Sequence, residues 1–189
     1  MRMFKAIIVN QTEDGRIQAQ LSDIEDYQLP TEGNVTIEVH YSDVNFKDGL
    51  CLSGKGKLVR EYPHIPGIDF SGIVLESEDA CFKPGDKVIS TGWRVGEIWF
   101  GGYSQKAKVK GEWLVPLPKS MSLKNSMIIG TAGLSAMLGI IELEDNGMMP
   151  DTGPILVTGA TGGVGSIAVA VLASLGYEVT CVTGNVSKN

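Results

Sequence analysis

Seven residues near the end of the chain have the types and spacing to hold a charged ligand with backbone alone. Gly159-Ala160-Thr161-Gly162-Gly163-Val164-Gly165 joins the largely apolar run Ile155-Leu156-Val157-Thr158 to a helical pattern over Ser166–Leu175. Its core, Ala160-x-Gly162-x-x-Gly165, is a dinucleotide fingerprint with alanine in the first slot. Ala160 permits a tight turn, Gly162 lets the backbone approach a pyrophosphate, and Gly165 lets the helix pack close on the sheet. Free N–H groups at the helix start and the aligned peptide dipoles then favour negative charge. A close-packed βα turn without a ligand is the alternative, and the strand–loop–helix context favours the ligand. No Lys-Ser/Thr pair follows the glycines, which argues against an ATP-binding P-loop.

The next strand bears on which dinucleotide is bound. An acidic residue at its end would hold the ribose 2′-hydroxyl of NAD. This chain has Thr183-Gly184-Asn185, with Ser187 and Lys188 beyond. Neutral side chains with a nearby lysine accept a 2′-phosphate, so the pattern predicts NADPH, with Lys188 as a simple tail residue the competing interpretation.

These residues need a sheet and a helix to place them. Ile155–Thr158, Ser166–Leu175 with Gly176 as its left-handed cap, and Tyr177–Thr183 make one βαβ unit. Before it, Ser122–Ser126 offers an N-cap region. The apolar residues from Met127 to Leu138 then recur at helical spacing and stop at Asp145-Asn146-Gly147. With no charge before Glu142, this helix is expected to lie buried between two domains. Residues up to about 125 read as short strands: Phe4–Val9, Val35–Val39, Ile73–Leu75, Lys87–Ser90, Ser104–Val109 and Trp113–Pro116. Turn signals such as Asp14-Gly15, Pro84-Gly85-Asp86 and Gly101-Gly102 separate them and suggest a barrel-like or sandwich-like β domain. The expected division is 1–125 for the β domain and 126–189 for the linking helix and βαβ unit. A dinucleotide-binding sheet needs several more parallel strands, so the second domain is expected to be truncated.

Composition narrows the function classes. With 189 residues, 43% hydrophobic and 20% charged, the chain resembles an ordinary globular protein. Its net charge of −6 disfavours nucleic acid or an anionic membrane as partner. Lys106, Lys108 and Lys110 alternate as a solvated strand face would. The uncharged stretch Pro154–Tyr177 is long enough for a bilayer, but its clustered glycines and the absence of flanking Lys/Arg asymmetry argue against a span. Three scattered cysteines, Cys51, Cys81 and Cys181, fit a reducing cytoplasm, each as a small buried hydrophobe.

Further motifs precede the glycine loop: Val44-Asn45-Phe46-Lys47-Asp48, Ile65-Pro66-Gly67-Ile68-Asp69-Phe70-Ser71-Gly72 and Phe82-Lys83-Pro84-Gly85-Asp86-Lys87-Val88. Thr91-Gly92-Trp93, Gly101-Gly102-Tyr103-Ser104 and Gly130-Thr131-Ala132-Gly133-Leu134-Ser135-Ala136 complete the set. In order and spacing they resemble the zinc-free quinone oxidoreductase branch of the medium-chain dehydrogenase/reductases. The likeness is to its YhdH/YhfP group, which includes acrylyl-CoA reductases. The resemblance implies an α/β architecture: a GroES-like β-barrel domain followed by a Rossmann domain (a doubly wound parallel sheet), here incomplete, with the active site in the cleft between. It implies NADPH along that cleft, with Thr161, Gly162, Gly163 and Val164 at the pyrophosphate and Gly159, Ala160 and Gly165 completing the loop. Thr183, Gly184 and Asn185 would surround the adenosine phosphate, with Lys188 just beyond; Phe46 would sit near the nicotinamide end, and Thr131 is a further expected cofactor residue. Relatives often carry tyrosine at the Phe46 position and arginine at the Asn185 position, so this chain lacks a hydroxyl and a bidentate phosphate partner there.

Zinc-dependent relatives place cysteine and a histidine–glutamate pair where this chain has Asn45, Asp48 and Asp69. Neither His40 nor His64 has a Cys or His partner at ligand spacing, so no metal is expected. The implied reaction is hydride transfer to an acryloyl-CoA-type enoyl thioester or to a quinone, with proton delivery completing it. Asn45 and Asp48 are expected to position groups around the nicotinamide, and Trp93 to line the pocket. Local capping of a short helix for the first two, and ordinary packing for Trp93, are the alternatives. The resemblance also implies a homodimer when full length, and a non-catalytic remnant or accessory subunit is the competing function.

Overall fold

The computed structural model describes residues 3–184. It divides into two compact units, Met1–Gly130 and Thr131–Asn189.

The first unit is built on β-branched and apolar alternation. Strands β1 (Met3–Gln11) and β2 (Ile17–Glu25) form an antiparallel hairpin. A five-stranded antiparallel sheet follows: β3 (Val35–Ser42), β4 (Asp69–Ser77), β5 (Lys87–Thr91), β6 (Lys106–Val109) and β7 (Leu114–Pro116), in the order β6-β3-β4-β5-β7. Val35, Ile37, Phe70, Val74, Val88 and Val109 alternate inward and are fully buried, which makes this sheet face the main core. A smaller cluster of Phe4, Ala6, Ile24, Leu29 and Ile65 sits under the hairpin. Backbone bonds tie the hairpin to the rest: Ile7 N–H to Tyr103 O, and Val9 and His64 reciprocally. Helix α1 (Phe46–Ser53) leaves β3 and ends at Gly54, whose φ of 69° closes it in the left-handed region.

Two strands differ from expectation. β2 is absent from the sequence-based assignment because its faces are mostly exposed and polar, so the apolar signal is weak. β4 begins at Asp69, well before Ile73, since Asp69, Ser71 and Gly72 look unlike a strand. Burial of that end is made possible by polar pairing: Ser42 Oγ donates to Asp69 O, and Ser71 Oγ to Leu123 O.

A backbone interlock fixes one end of the sheet. A Cβ on Gly96 would meet the Gly67 carbonyl carbon at 2.6 Å, and one on Gly101 would collide with the Gly67 oxygen. Gly101 N–H donates to Ile65 O and Gly102 N–H to Gly67 O. Three chain segments therefore pack backbone to backbone with no room for side chains.

Helix α2 (Leu123–Asp145) starts with Ser122 capping Asn125 N–H, as the sequence suggests. It breaks at Gly130, where φ is 50° and ψ −158°. By length and composition it could cross a membrane. The break leaves an unbroken stretch of about 15 residues, short of the ~20 that a bilayer requires. The expected burial of this helix is corrected: Ile128 is 67% and Leu138 58% exposed, while Met127 is buried before the break and Ala136 and Ile140 after it. The break splits one apolar run into two shorter helices, each hiding only its own narrow face.

In the second unit, β8 (Ile155–Thr158) and β9 (Val179–Val182) pair in parallel, with α3 (Gly163–Ser174) between them in sequence. Gly176 takes φ 89° after the helix. Tyr177 falls before the strand and joins Ile140 and Leu172 in the core, its hydroxyl donating to Glu144 Oε1 at 2.9 Å. Pro154–Tyr177 is thus strand, loop and helix.

Two further expectations are corrected. Cys51 is buried, but Cys81 and Cys181 are exposed: Cys81 stands in a turn and Cys181 in the thinly covered strand β9. Lys106 does not lie on a freely solvated face: its ammonium pairs with Asp26 at 2.6 Å and sits 5.4 Å from the Phe4 ring centre. Lys110 similarly lies 5.4 Å from the Trp113 ring centre.

Candidate active site

The start of α1 gathers several polar groups in the first unit. Asn45 is the N-cap residue, with extended φ and ψ of −103° and 156°. Its N–H donates to Asp48 Oδ2 at 2.8 Å, while Asp48 Oδ1 accepts from Ile68 N–H at 2.9 Å. Asp48 is fully buried, and it clamps the helix start to the Ile65–Gly72 segment. The Asn45 amide bridges two other carboxylates, donating to Asp43 Oδ1 at 3.1 Å and Asp69 Oδ2 at 3.2 Å. Tyr103 donates its hydroxyl proton to Asp43 O at 3.1 Å.

Crowding acids in a poorly solvated place favours their neutral forms. Burial, then the neighbouring Asp69 and Asp48 charges, pushes the Asp43 carboxyl up to about 6. Burial also raises Asp48, outweighing the two backbone N–H bonds that favour its charge. The Tyr103 hydroxyl is held well above its usual range by burial first and then by the Asp48 charge. This cluster can hold a proton at Asp43 and present an oriented amide at Asn45.

Phe46, the first residue of α1, is 86% exposed. Beside it, Lys47 Nζ pairs with Glu97 at 2.8 Å, and Arg94 Nε approaches the same carboxylate at 3.5 Å. This buried Glu97 therefore links α1 to the loop that carries Trp93. Trp93 stacks on Trp113 with ring centres 6.1 Å apart, and Trp113 meets Trp99 edge-on. Sequence reasoning passed over Asp43, Tyr103 and Glu97. Asp43 lies two residues before the cap in an Asp-x-Asn-x-x-Asp spacing, which is a usable signal. Nothing local marks the burial of Glu97.

The glycine loop of the second unit has the shape its spacing requires. Gly159 takes φ 61°, and Gly162 N–H closes the turn on Gly159 O at 2.9 Å. A Cβ on Gly165 would collide with the Gly159 oxygen, so only glycine lets the helix start lie against the loop. Gly162, extended at φ −80° and ψ 172°, begins α3 with no side-chain cap. The first N–H groups of the helix, at Gly163, Val164 and Gly165, therefore carry no side-chain oxygen on them. Thr161 and Thr183 bring their hydroxyls to 3.3 Å, so the loop meets the end of β9. Ala160 N–H donates to Val182 O, the same junction seen from the backbone. Thr131 follows the Gly130 break and accepts from Ser135 Oγ. Gly184 is the last described residue; Asn185 and Lys188 lie outside the described residues.

These residues fit the phosphates of a dinucleotide: an uncapped helix start, a loop with no side chain in the way, and two hydroxyls at its rim. Among the described residues no three His, Cys, Asp or Glu side chains are grouped to hold a metal ion.

Comparison with known proteins agrees with this geometry. Residues 31–119 match the alcohol dehydrogenase GroES-like domain. The chain is 56% identical over 183 residues to the acrylyl-CoA reductase AcuI of Ruegeria pomeroyi, covering 96% of the chain and 55% of that protein. It is 47% identical over 183 residues to the putative quinone oxidoreductase YhfP of Bacillus subtilis, covering 97% of the chain and 55% of that protein. The yhdH oxidoreductase of Salmonella enterica, solved in complex with NADP, superimposes with a TM-score of 0.94 at 51% identity, over 97% of this chain and 56% of that one. The YhfP structure, solved with NAD bound, gives 0.93 at 46% identity, over 98% of this chain and 56% of that one. The chain thus spans about 55% of the length of the relatives it matches. A GroES-like domain followed by part of a Rossmann-type sheet accounts for the whole described fold.

Proposed function

Because the chain belongs to the medium-chain dehydrogenase/reductases, in the group of AcuI, YhdH and YhfP, we propose that it serves NADPH-dependent reduction of an activated double bond. The activity is proposed for a protein of those relatives' length that carries this segment. The observation that carries the proposal is the loop 159–165, where Gly165 alone permits the helix start to lie against the turn.

When bound, NADPH supplies the hydride. Gly163 and Val164 offer backbone N–H groups to its pyrophosphate, Gly162 brings the bare backbone close to it, and Gly159, Ala160, Thr161 and Gly165 shape the loop around them. Thr183 and Gly184, with Asn185 and Lys188, are assigned to the adenosine phosphate. Phe46 and Thr131 complete the cofactor contacts. Asn45 is the group we assign to orient reactants through its amide, with Asp48 positioning it by fixing the start of α1. Trp93 is assigned to the substrate side.

An enoyl thioester of the acryloyl-CoA kind is the substrate class we favour, since 56% identity to a named acrylyl-CoA reductase supports it more strongly than 47% to a putative quinone oxidoreductase. Hydride adds to the β-carbon, the electron pair of the double bond moves toward the thioester carbonyl, and a proton at the α-carbon completes the saturated product. A quinone, reduced by the same hydride and a proton on oxygen, is the second substrate class. The unpaired cysteines support a reducing, cytoplasmic setting, and family resemblance supports a homodimer.

The test is a titration of NADPH against the protein at relatives' length, followed by nicotinamide fluorescence, with acryloyl-CoA and, in a separate sample, a quinone then added. Saturable binding and consumption of one NADPH per saturated thioester are expected. Absence of binding removes the cofactor assignment, and binding without turnover of either substrate class removes the reaction.

A further inference from the structure

We infer that Trp93 and Arg94 dock the phosphorylated nucleotide end of a coenzyme A thioester, in a site built on the surface of the first unit. The inference rests on the enoyl-thioester substrate proposed above and names the part of that substrate this loop reads.

The starting observation is conformational. Gly92, Trp93 and Arg94 occupy the left-handed region consecutively, with φ of 83°, 56° and 59°. Glycine does so freely. Two bulky L-residues in a row do not, since each brings its Cβ against its own carbonyl oxygen. The rest of the loop holds them there. Val95 is fully buried, Gly96 N–H donates to Trp99 O at 2.7 Å, and Arg94 O accepts from Glu97 and Ile98 N–H groups, both at 3.1 Å. Strain kept in a rigid loop marks a place where the side chains themselves are wanted.

What those side chains present is specific. The Trp93 ring lies nearly parallel to Trp113, at 13°, yet remains 57% exposed. It offers a flat surface already stiffened from behind. The Arg94 guanidinium makes one long contact, Nε to Glu97 at 3.5 Å, and no side-chain hydrogen bond among the described residues. Glu97 is already taken by Lys47 at 2.8 Å, so two cations share one carboxylate. One positive charge is left over beside an open indole, on a chain whose net charge is −6. Lys110, beside Trp113, adds a second cation to the same ladder of rings.

A flat π face next to a planar guanidinium suits a nucleotide: the base stacks and the fork grips a phosphate through paired N–H donors. A coenzyme A thioester carries such an adenine and a 3′-phosphate at the end remote from its reacting carbons. A quinone carries neither. The loop therefore favours the thioester over the quinone by contacts far from the chemistry.

All three tryptophans of the chain, Trp93, Trp99 and Trp113, stand in this one ladder, so intrinsic fluorescence reports on it directly. The experiment titrates adenosine 3′,5′-bisphosphate against the full chain while tryptophan emission is followed. Saturable quenching is expected, with adenosine lacking phosphates binding at least tenfold more weakly. Arg94→Gly should weaken bisphosphate binding at least tenfold while melting no lower than the parent, because glycine relieves the left-handed residue. Arg94→Asn, which also tolerates that conformation, should lose binding in the same way. No quenching, unchanged affinity in both variants, or displacement of the bisphosphate by NADPH, which would place it at the glycine loop, each overturns the inference. The outcome is separable from that of the proposed reduction: bisphosphate binding needs no hydride, and failure here leaves NADPH binding and quinone turnover untouched.

Discussion

Asp43 and Asp48 show how far apart two neighbouring carboxyls can be in consequence. Asp43 holds its proton up to about 6 in the folded protein, against 3.8 for an ordinary aspartate. Between those values the folded state binds the proton and the unfolded state does not, so stability falls as pH rises and the full cost is present above the folded value. Asp43→Asn removes the ionisable group while keeping the oxygen that accepts from Asn45. We expect it to raise Tm at pH 8 by about 2–4 °C, on the order of 1 kcal/mol once solvent screening of this half-buried group is allowed for. At pH 4 the difference from the parent should vanish; an equal gain at both pH values contradicts the assignment. Asp48→Ala should instead destabilise by roughly 2–4 kcal/mol in urea melts, because the Asn45 and Ile68 N–H groups lose their shared acceptor. The residue scale was partly legible in the sequence. Asn45 and Asp48 could be singled out as cap or site, and the structure shows their capping bond. The shift of Asp43 depends on burial and on Asp69 arriving from β4, which no local pattern reveals.

Among elements, the strand–loop–helix of the second unit was the most legible, since its glycine spacing encodes a steric demand that only one backbone shape meets. Gly165→Ala tests it. The added methyl would collide with the Gly159 oxygen, so we expect NADPH affinity to drop at least tenfold and the melting transition to fall, by roughly 1–3 kcal/mol for an overpacked site. Nicotinamide fluorescence and thermal melts on the same sample check both, and wild-type affinity in this variant would show that the loop does not carry the cofactor. Elsewhere legibility followed burial. β3 and β5 alternate cleanly because one face is in the core, whereas β2, exposed on both faces from Gln18 to Leu21, gave almost no signal. The turn at Trp93 and Arg94 was invisible for another reason: residue type points away from the left-handed region there, and only tertiary packing enforces it.

The whole chain combines a β unit with a well-filled core and a second unit with a two-stranded sheet. Leu156 is 61% and Val182 44% exposed on that sheet, and α2 adds further exposed apolar surface. Patches of this kind drive association in water. We expect the 189-residue chain, prepared as such, to bind a hydrophobic dye strongly and to self-associate in light scattering as concentration rises. A protein of its relatives' length should do neither to the same degree; equal behaviour would show that these faces are inert. Domain order could be anticipated from motif order, but the exposure of α2 could not, because an apolar helix without its neighbours looks the same in sequence as one enclosed. The glycine interlock of residues 67, 96 and 101 has one more consequence, for adaptability. It pins the segment that follows Trp93 and Arg94 using atoms that every residue has, so those two positions can be rewritten without refolding the base. A lineage changing its preferred substrate, or a combinatorial library seeking one, can randomise positions 93 and 94 together and leave the anchors alone.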